Sequence, residues 1–375
     1  MAKRIRLVAT AAALVPLGVL AAACGSSPSS PLSSSSSPAT SQALPAAPNK
    51  AHTSMTETGS TLLFPLISAW AADYQKLYPQ VTLTTAGTGS GTGITDATTG
   101  TVDIGASDAY LSSSDRATTP TLLNIPLAIS AQQFNYNVPS VKSGLKLNGT
   151  IVAEMYSGKI TNWNDPAIAA LNPGVTLPSL TVVPLRRVDS SGDTFLFSSY
   201  LNAQDPSLWP ASDVGTTVTW PSVTGELAEQ GNGGMVTGCG QTKGCIAYIG
   251  ISYLSKTQAA GLGQAMLKNA AGTYLAPSAA TIVAAASGMT GKTPKDETLS
   301  MINSPGANSY PIINYEYAIV NTTQSNSTTA EDIRAFLHWA LVTGETSKYL
   351  GPVNFQPLPA AIVTLSDNQI AKIGT

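Results

Sequence analysis

From Thr58 onward the apolar positions fall into short runs and helical spacings separated by polar turns. After Gly59-Ser60-Thr61, the stretch Leu66 to Leu77 carries Ile67, Trp70, Ala71 and Tyr74 three and four residues apart, which predicts an amphipathic helix. Val81-Thr82-Leu83-Thr84 alternates like a strand and runs into Gly87-Thr88-Gly89-Ser90-Gly91-Thr92-Gly93, with a short helix predicted over Ile94 to Thr99. Val102 to Asp108 reads as a buried strand ending in a polar turn. Two apolar strands are predicted at Asn124 to Ile129 and Phe134 to Val138. A helical region follows from Ile151 to Tyr156 with Trp163 and Ile168 to Leu171. Strands return at Leu180 to Leu185, Ile246 to Ile251 and Tyr310 to Val320. The final predicted helix, Glu331 to Leu341, puts Ile333, Phe336, Leu337 and Ala340 on one face. Strands alternating with helices imply an α/β protein with covered sheets, in which ligands sit at the carboxyl ends of strands. No repeat at a fixed period is present.

The N-terminus follows a different pattern. Lys3, Arg4 and Arg6 precede an apolar run from Leu7 to Leu20, and Ala21-Ala22-Ala23 stands before Cys24. This predicts an export signal over residues 1–23 ending in a lipobox-like site, with Cys24 as the lipidated residue; Ala rather than Leu stands three residues before it. Residues 24–55 are dominated by Ser, Pro and Ala, too poor in large apolar side chains to offset the entropy of ordering, and are expected to form a tether. Lipid, stalk and folded body together describe a protein held at the outer face of a membrane.

The remaining chain of about 320 residues exceeds the size at which one core stops growing, which favours two lobes. Without the signal it carries 16 Lys+Arg against 21 Asp+Glu, a net charge of −5. A nucleic-acid partner is disfavoured by that balance. Cys239 and Cys245 remain, and in an exported protein they are expected to form a disulfide closing a small glycine-rich loop. Two thiolates without nearby His or further Cys do not complete a metal site.

Chemistry concentrates where predicted strands end in Gly, Ser, Thr or Asp: Gly59 to Phe64, Gly87 to Gly93, and Ala106-Ser107-Asp108. A fourth segment, Arg187-Val188-Asp189-Ser190-Ser191-Gly192-Asp193-Thr194-Phe195, combines a guanidinium, two carboxylates, hydroxyls and a Ser-Gly turn into a helix. A guanidinium fork and a helix start suit a tetrahedral anion. The carboxylates favour an anion that brings its own proton, hydrogen phosphate over sulfate. Gly87-x-Gly89-x-x-Thr92 lacks the third glycine of a dinucleotide loop, and no Gly-Lys-Ser/Thr follows to make a P-loop. A secreted phosphatase acting on phosphate esters is the alternative. It needs a metal cluster or a nucleophile with a base, and the chain offers only His52 and His338. A surface interaction protein that lost the ligand is a third reading, disfavoured by the intact anion constellation.

Five ordered motifs carry a resemblance: Gly59 to Pro65, Gly87 to Gly91, Val102 to Ala109, Tyr156-Ser157-Gly158-Lys159-Ile160-Thr161-Asn162-Trp163-Asn164-Asp165-Pro166, and Arg187 to Phe195. From Thr58 to its end the chain resembles the PstS phosphate-binding subunits of the bacterial phosphate ABC importer, and within that family its mycobacterial lipoproteins. The resemblance implies a class II periplasmic-binding-protein fold with two α/β lobes, each a mixed sheet flanked by helices, residues 56–135 with 311–375 and residues 136–310. It implies a monomeric, non-enzymatic protein without cofactor that takes inorganic phosphate between its lobes and passes it to permease subunits. Carried over to this chain, Ser90 gives hydroxyl and N–H, Asp108 accepts the ligand's proton, and Arg187 forks onto two oxygens. Asp189 braces Arg187, Ser191 and Gly192 donate from the helix start, and the Phe64 N–H completes the cage. Leu63 stands where many relatives have a ligand-binding Thr, shifting that contact to Ser60, Thr61 or main chain. Asp193 stands where many have Thr, implying a second proton-accepting carboxylate.

Overall fold

The computed structural model describes residues 44–141 and 143–375. The signal segment and Cys24 lie outside the described residues. The framework, in chain order, is β1 (Thr53–Gly59), α1 (Phe64–Leu77), β2 (Val81–Gly87), α2 (Ser90–Thr99), β3 (Ile104–Ser107), β4 (Leu122–Tyr136), β5 (Val183–Arg187), α3 (Gly192–Gln204), β6 (Leu227–Glu229), α4 (Gly231–Gln241), β7 (Cys245–Gly250), β8 (Ile313–Asn321), α5 (Ser327–Trp339) and α6 (Ala360–Ile370).

These strands line up as β2-β1-β3-β8-β4-β7-β5-β6. On one side β1 runs parallel to β2 and β3, and on the other β5 runs parallel to β6 and β7. The join is β4. Leu122 to Ala131 pair antiparallel with β8, and Gln132 to Tyr136 pair antiparallel with β7. All 15 residues of β4 are buried. A strand covered on both faces normally reads as one apolar run, but Ser130 and Gln132-Gln133 interrupt this one, which is why its pattern predicts two strands where there is one.

Local chemistry explains the helices that carry the loops of interest. The Ser60 Oγ accepts the N–H groups of Leu62 (3.0 Å) and Leu63 (2.9 Å), so donors orphaned at the start of α1 are satisfied, and Pro65 fits its first turn. Leu66, Ile67, Trp70, Ala71 and Tyr74 are buried, and the Trp70 indole N–H donates to the Gly344 carbonyl at 3.0 Å. Each such large apolar side chain contributes about 1.5–3 kcal/mol by leaving water. In the other half Phe197 of α3 stacks on Tyr248 of β7 with ring centroids 4.4 Å apart.

Several expectations need correction. The glycine-rich segment contributes the first residues of α2, which begins at Ser90 and not at Ile94. Trp163 lies beside the bridge pairing Asn162 with Thr181, outside any helix, its indole N–H on the Gly244 carbonyl at 2.8 Å. Glu331 to Leu341 is not the last helix: α5 passes into a π-helical turn, Ala340–Gly344, and Ser347–Val353 and α6 follow. Cys239 and Cys245 are bonded with their Cα atoms 5.3 Å apart, but Cys239 lies in the last turns of α4 and Cys245 opens β7, so the bridge staples a helix to a strand. Order also begins upstream of residue 56, where β1 starts at Thr53 and the Asn49 N–H reaches Asp332 Oδ1 at 2.6 Å.

Candidate functional site

Both sets of parallel strands deliver their carboxyl ends to one place. β1 leads to Ser60 and Thr61, β2 to Gly89 and Ser90, and β3 to Asp108; β5 leads to Arg187 through Gly192, β6 to Asn232, and β7 ends at Gly250. The two sides touch directly. The Gly91 N–H donates to the Ser190 carbonyl at 3.0 Å, and Asn232 Nδ2 donates to Thr61 Oγ1 at 3.0 Å. A Cβ on Gly192 would lie 2.4 Å from Asp108 Oδ2 and 2.5 Å from Ser90 Oγ, so only glycine permits this approach. Gly89, at φ +106°, makes the turn that brings Ser90 inward.

On the first side the central group is Asp108. Its oxygens accept the hydroxyls of Ser60 and, at 3.3 Å, of Ser90, while its own N–H donates to Ser90 Oγ at 3.2 Å. Ser60, Ser90 and Asp108 are all buried. Burial pushes the Asp108 carboxyl up to about 7, helped by the negative charge of Asp193; hydrogen bonds from Glu316 and Ser60 and the Arg187 charge work the other way. This side holds hydroxyls and an acid.

The second side holds the cation. Arg187 Nε donates to Asp189 Oδ1 at 2.8 Å, Nη2 donates to Asp189 Oδ2, and Nη1 donates to Asp193 Oδ2 at 2.9 Å. A guanidinium has five N–H groups; three are engaged in these bonds, so two remain. Burial opposes its charge, but Asp189 and Asp193 more than compensate and Arg187 stays protonated. Burial likewise acts to raise Asp189, yet the Arg187 hydrogen bond and charge, with the Gly231 N–H, hold it below the usual carboxylate range. Asp193 is raised by burial, against the pull of Arg187, Gln132 and Asn232. The backbone of Arg187 is fixed by the Tyr248 hydroxyl, which accepts its N–H at 3.0 Å.

The structure therefore gathers Ser60, Thr61, Ser90, Asp108, Arg187, Asp189, Ser191, Gly192 and Asp193 into one buried cluster. Their individual contacts refine the expectations. The Ser191 hydroxyl caps α3 by accepting the Thr194 N–H at 3.3 Å, and its N–H donates to the Thr216 carbonyl at 2.8 Å, leaving the first N–H groups of the helix as its donors toward an anion. Phe64 is a correction: its N–H donates to the Ser60 carbonyl at 3.0 Å and is not free to complete a cage. Leu63 is wholly buried in the core and its N–H is held by Ser60 Oγ. Asp193 differs too, because Oδ1 accepts Gln132 Nε2 at 3.1 Å and Oδ2 accepts Asn232 Nδ2 at 2.6 Å beside Arg187.

Sequence reasoning missed Gln132, Asn232, Tyr248 and Glu316. Asn232 was signalled by Gly231-Asn232-Gly233-Gly234 after a strand, the same grammar as the other loops, and Glu316 by a charge inside the apolar run Ile312 to Val320. Gln132 and Tyr248 sit mid-strand with no local signal.

Residues 44–343 match the PBP superfamily domain. The chain is similar to the phosphate-binding protein PstS of Xylella fastidiosa, 31% identical over 85% of each chain, and to that of Methanocaldococcus jannaschii, 30% identical over 84% of this chain and 85% of that one. It is 30% identical to the phosphate-binding protein PstS3 of Mycobacterium bovis, over 82% and 83% of the two chains. Among solved structures it resembles a high-affinity periplasmic phosphate-binding protein bound with phosphate, PfluDING, with TM-score 0.67 and 20% identity over 83% of this chain and 92% of that one. A phosphate-binding protein from Stenotrophomonas maltophilia gives TM-score 0.60 and 21% identity, covering 84% and 93%.

Proposed function

The chain belongs to the PstS phosphate-binding proteins of the PBP superfamily, and from that premise we propose how it captures inorganic phosphate for an ABC permease. The observation that carries the reading is the opposition, inside one buried cluster, of the Asp108 acceptor to the Arg187 guanidinium and the start of α3. The two N–H groups of Arg187 outside its ion pairs fork onto two phosphate oxygens, and α3 donates through Gly192. From the facing side the Ser60 and Ser90 hydroxyls donate to Asp108 and hold it as the acceptor, and Ser90 offers its N–H. Asp108 accepts the phosphate's own proton. Sulfate brings no proton, so it meets Asp108 as an unpaired like charge, which a desolvated site punishes by several orders of magnitude in affinity. Asp189 braces the guanidinium, and Asp193, with both oxygens already engaged, fixes its far edge instead of receiving a proton.

In this reading residues 56–135 with 311–375 and residues 136–310 act as two lobes, and an anion held by donors from both stabilises the closed form. Export and lipidation at Cys24 tether a monomer outside the cytoplasmic membrane, so no spanning helix is required of the folded body; among the described residues none is long and apolar enough to cross. Mass spectrometry of the membrane-bound protein tests the lipid at Cys24. Titration calorimetry with phosphate and sulfate tests the ligand: tight phosphate binding with no sulfate heat is expected, and heat with sulfate alone would overturn the assignment. Nothing favours phosphate-ester hydrolysis; His338 pairs with Asp367 at 2.8 Å on α5 and α6, outside the cluster.

A further inference from the structure

Behind Asp108 lies a second carboxyl that the capture of phosphate does not use. Glu316, on β8, is completely buried. Its Oε1 accepts the Ser130 hydroxyl and, at 3.0 Å, Asn314 Nδ2. The same Asn314 Nδ2 lies 3.3 Å from the Asp108 carbonyl oxygen, so the side chains share one polar pocket between β3, β4 and β8. Glu316 Oε2 receives no hydrogen bond from any donor among the described residues. Beside this side chain stands the carboxyl of Asp108, the two acting on each other as neighbours.

Two ionised carboxylates cannot face each other in a buried site, because neither has a hydrogen to offer and their charges repel. One proton between them removes the difficulty. Its place follows from the neighbours. Asp108 has the Ser60 and Ser90 hydroxyls and, nearby, the Arg187 cation; Glu316 has only two neutral donors on one oxygen. The other charged group bearing on the pair, Asp193, adds to the repulsion. Protonation of Glu316 supplies the pair with a hydrogen and leaves the negative charge where the cation and hydroxyls are.

Resting on the phosphate-capture reading above, we propose that Glu316 is a positioning residue: a neutral carboxylic acid that donates its hydrogen to Asp108 and holds that side chain as an ionised, oriented acceptor. The lone pairs of Asp108 then close. A carboxylate accepts about four hydrogen bonds, which Ser60, Ser90, Glu316 and the proton of phosphate supply. Without the Glu316 hydrogen Asp108 protonates more readily, becomes a donor, and no longer discriminates against an unprotonated anion.

The test is titration calorimetry with phosphate and sulfate on wild type, Glu316→Gln and Glu316→Met across pH 5 to 9, with circular dichroism to confirm folding. Gln keeps an N–H donor toward Asp108 and is expected to stay within about threefold of wild type for phosphate at pH 7, whereas Met is expected to weaken phosphate binding about tenfold or more and to admit sulfate. Raising the pH until Glu316 ionises should weaken phosphate binding by wild type more steeply than by Glu316→Gln. An infrared difference spectrum between wild type and Glu316→Gln at pH 7 should contain the carbonyl stretch of one protonated carboxylic acid, a readout independent of binding. The proposal is overturned if that band is missing, or if a folded Glu316→Met keeps the phosphate-to-sulfate ratio and pH profile of wild type. Wild type that fails to prefer phosphate would instead sink the underlying reading and leave the infrared result to judge the carboxyl pair alone.

Discussion

The two faces of the cluster are built on opposite electrostatic plans. On the β1–β3 side Asp108 stands among the hydroxyls of Ser60 and Ser90 and the carboxyl of Glu316, with no cation of that side among its described hydrogen-bond partners, and its value is lifted to about 7. On the β5–β7 side one cation is held by two carboxylates and braced by Asn232, Gln132 and Tyr248. The difference separates affinity from selectivity. A guanidinium fork attracts any tetrahedral anion, whereas an acceptor among hydroxyls admits only one that carries a hydrogen.

Removing the cation should do the most damage. Arg187→Ala is expected to abolish calorimetric binding of phosphate and to lower unfolding stability by about 3–5 kcal/mol in a urea titration, because Asp189 and Asp193 stay buried without their partner. Asp108→Asn should leave the cationic side intact yet reduce the phosphate-to-sulfate affinity ratio by at least about a hundredfold in paired titrations. The same side should respond to pH. Since the Asp108 value is raised, its charge is lost as pH falls through about 7, so sulfate binding by wild type should strengthen below that pH and fade above it. Gly192→Ala places a methyl against Asp108 and Ser90 and should lower phosphate affinity about tenfold by holding the faces apart. Smallest for binding is the Cys239–Cys245 bridge. Its reduction should cost about 2 kcal/mol of stability in a denaturant titration and leave the selectivity ratio unchanged.

The cationic side was largely legible in the chain, because Arg187, Asp189, Ser191, Gly192 and Asp193 fall within seven residues and a strand, a turn and a helix start bring them together without long-range folding. The acidic side was legible only loop by loop. Ser60, Ser90 and Asp108 follow three different strands, and each loop alone reads as an ordinary polar turn. Of what escaped, Asn232 opens α4, and Gln132, Tyr248 and Glu316 come from strand interiors. Gln132 reaches Asp193 only because β4 changes partner there, and Glu316 reaches Asp108 only because β8 lies between β3 and β4. Such contacts depend on sheet order, which local spacing does not encode.

The long strand β4 also limits how this molecule can be dismantled. Its first ten residues complete one half of the sheet and its last five the other, so neither half owns it. Cutting the gene beside Gln132 would yield fragments that each expose an unsatisfied row of peptide groups, prone to stick to other chains. A split reporter or a chimaera exchanging halves between relatives must therefore carry Leu122–Tyr136 as an indivisible piece and supply it with β-partners from both donors.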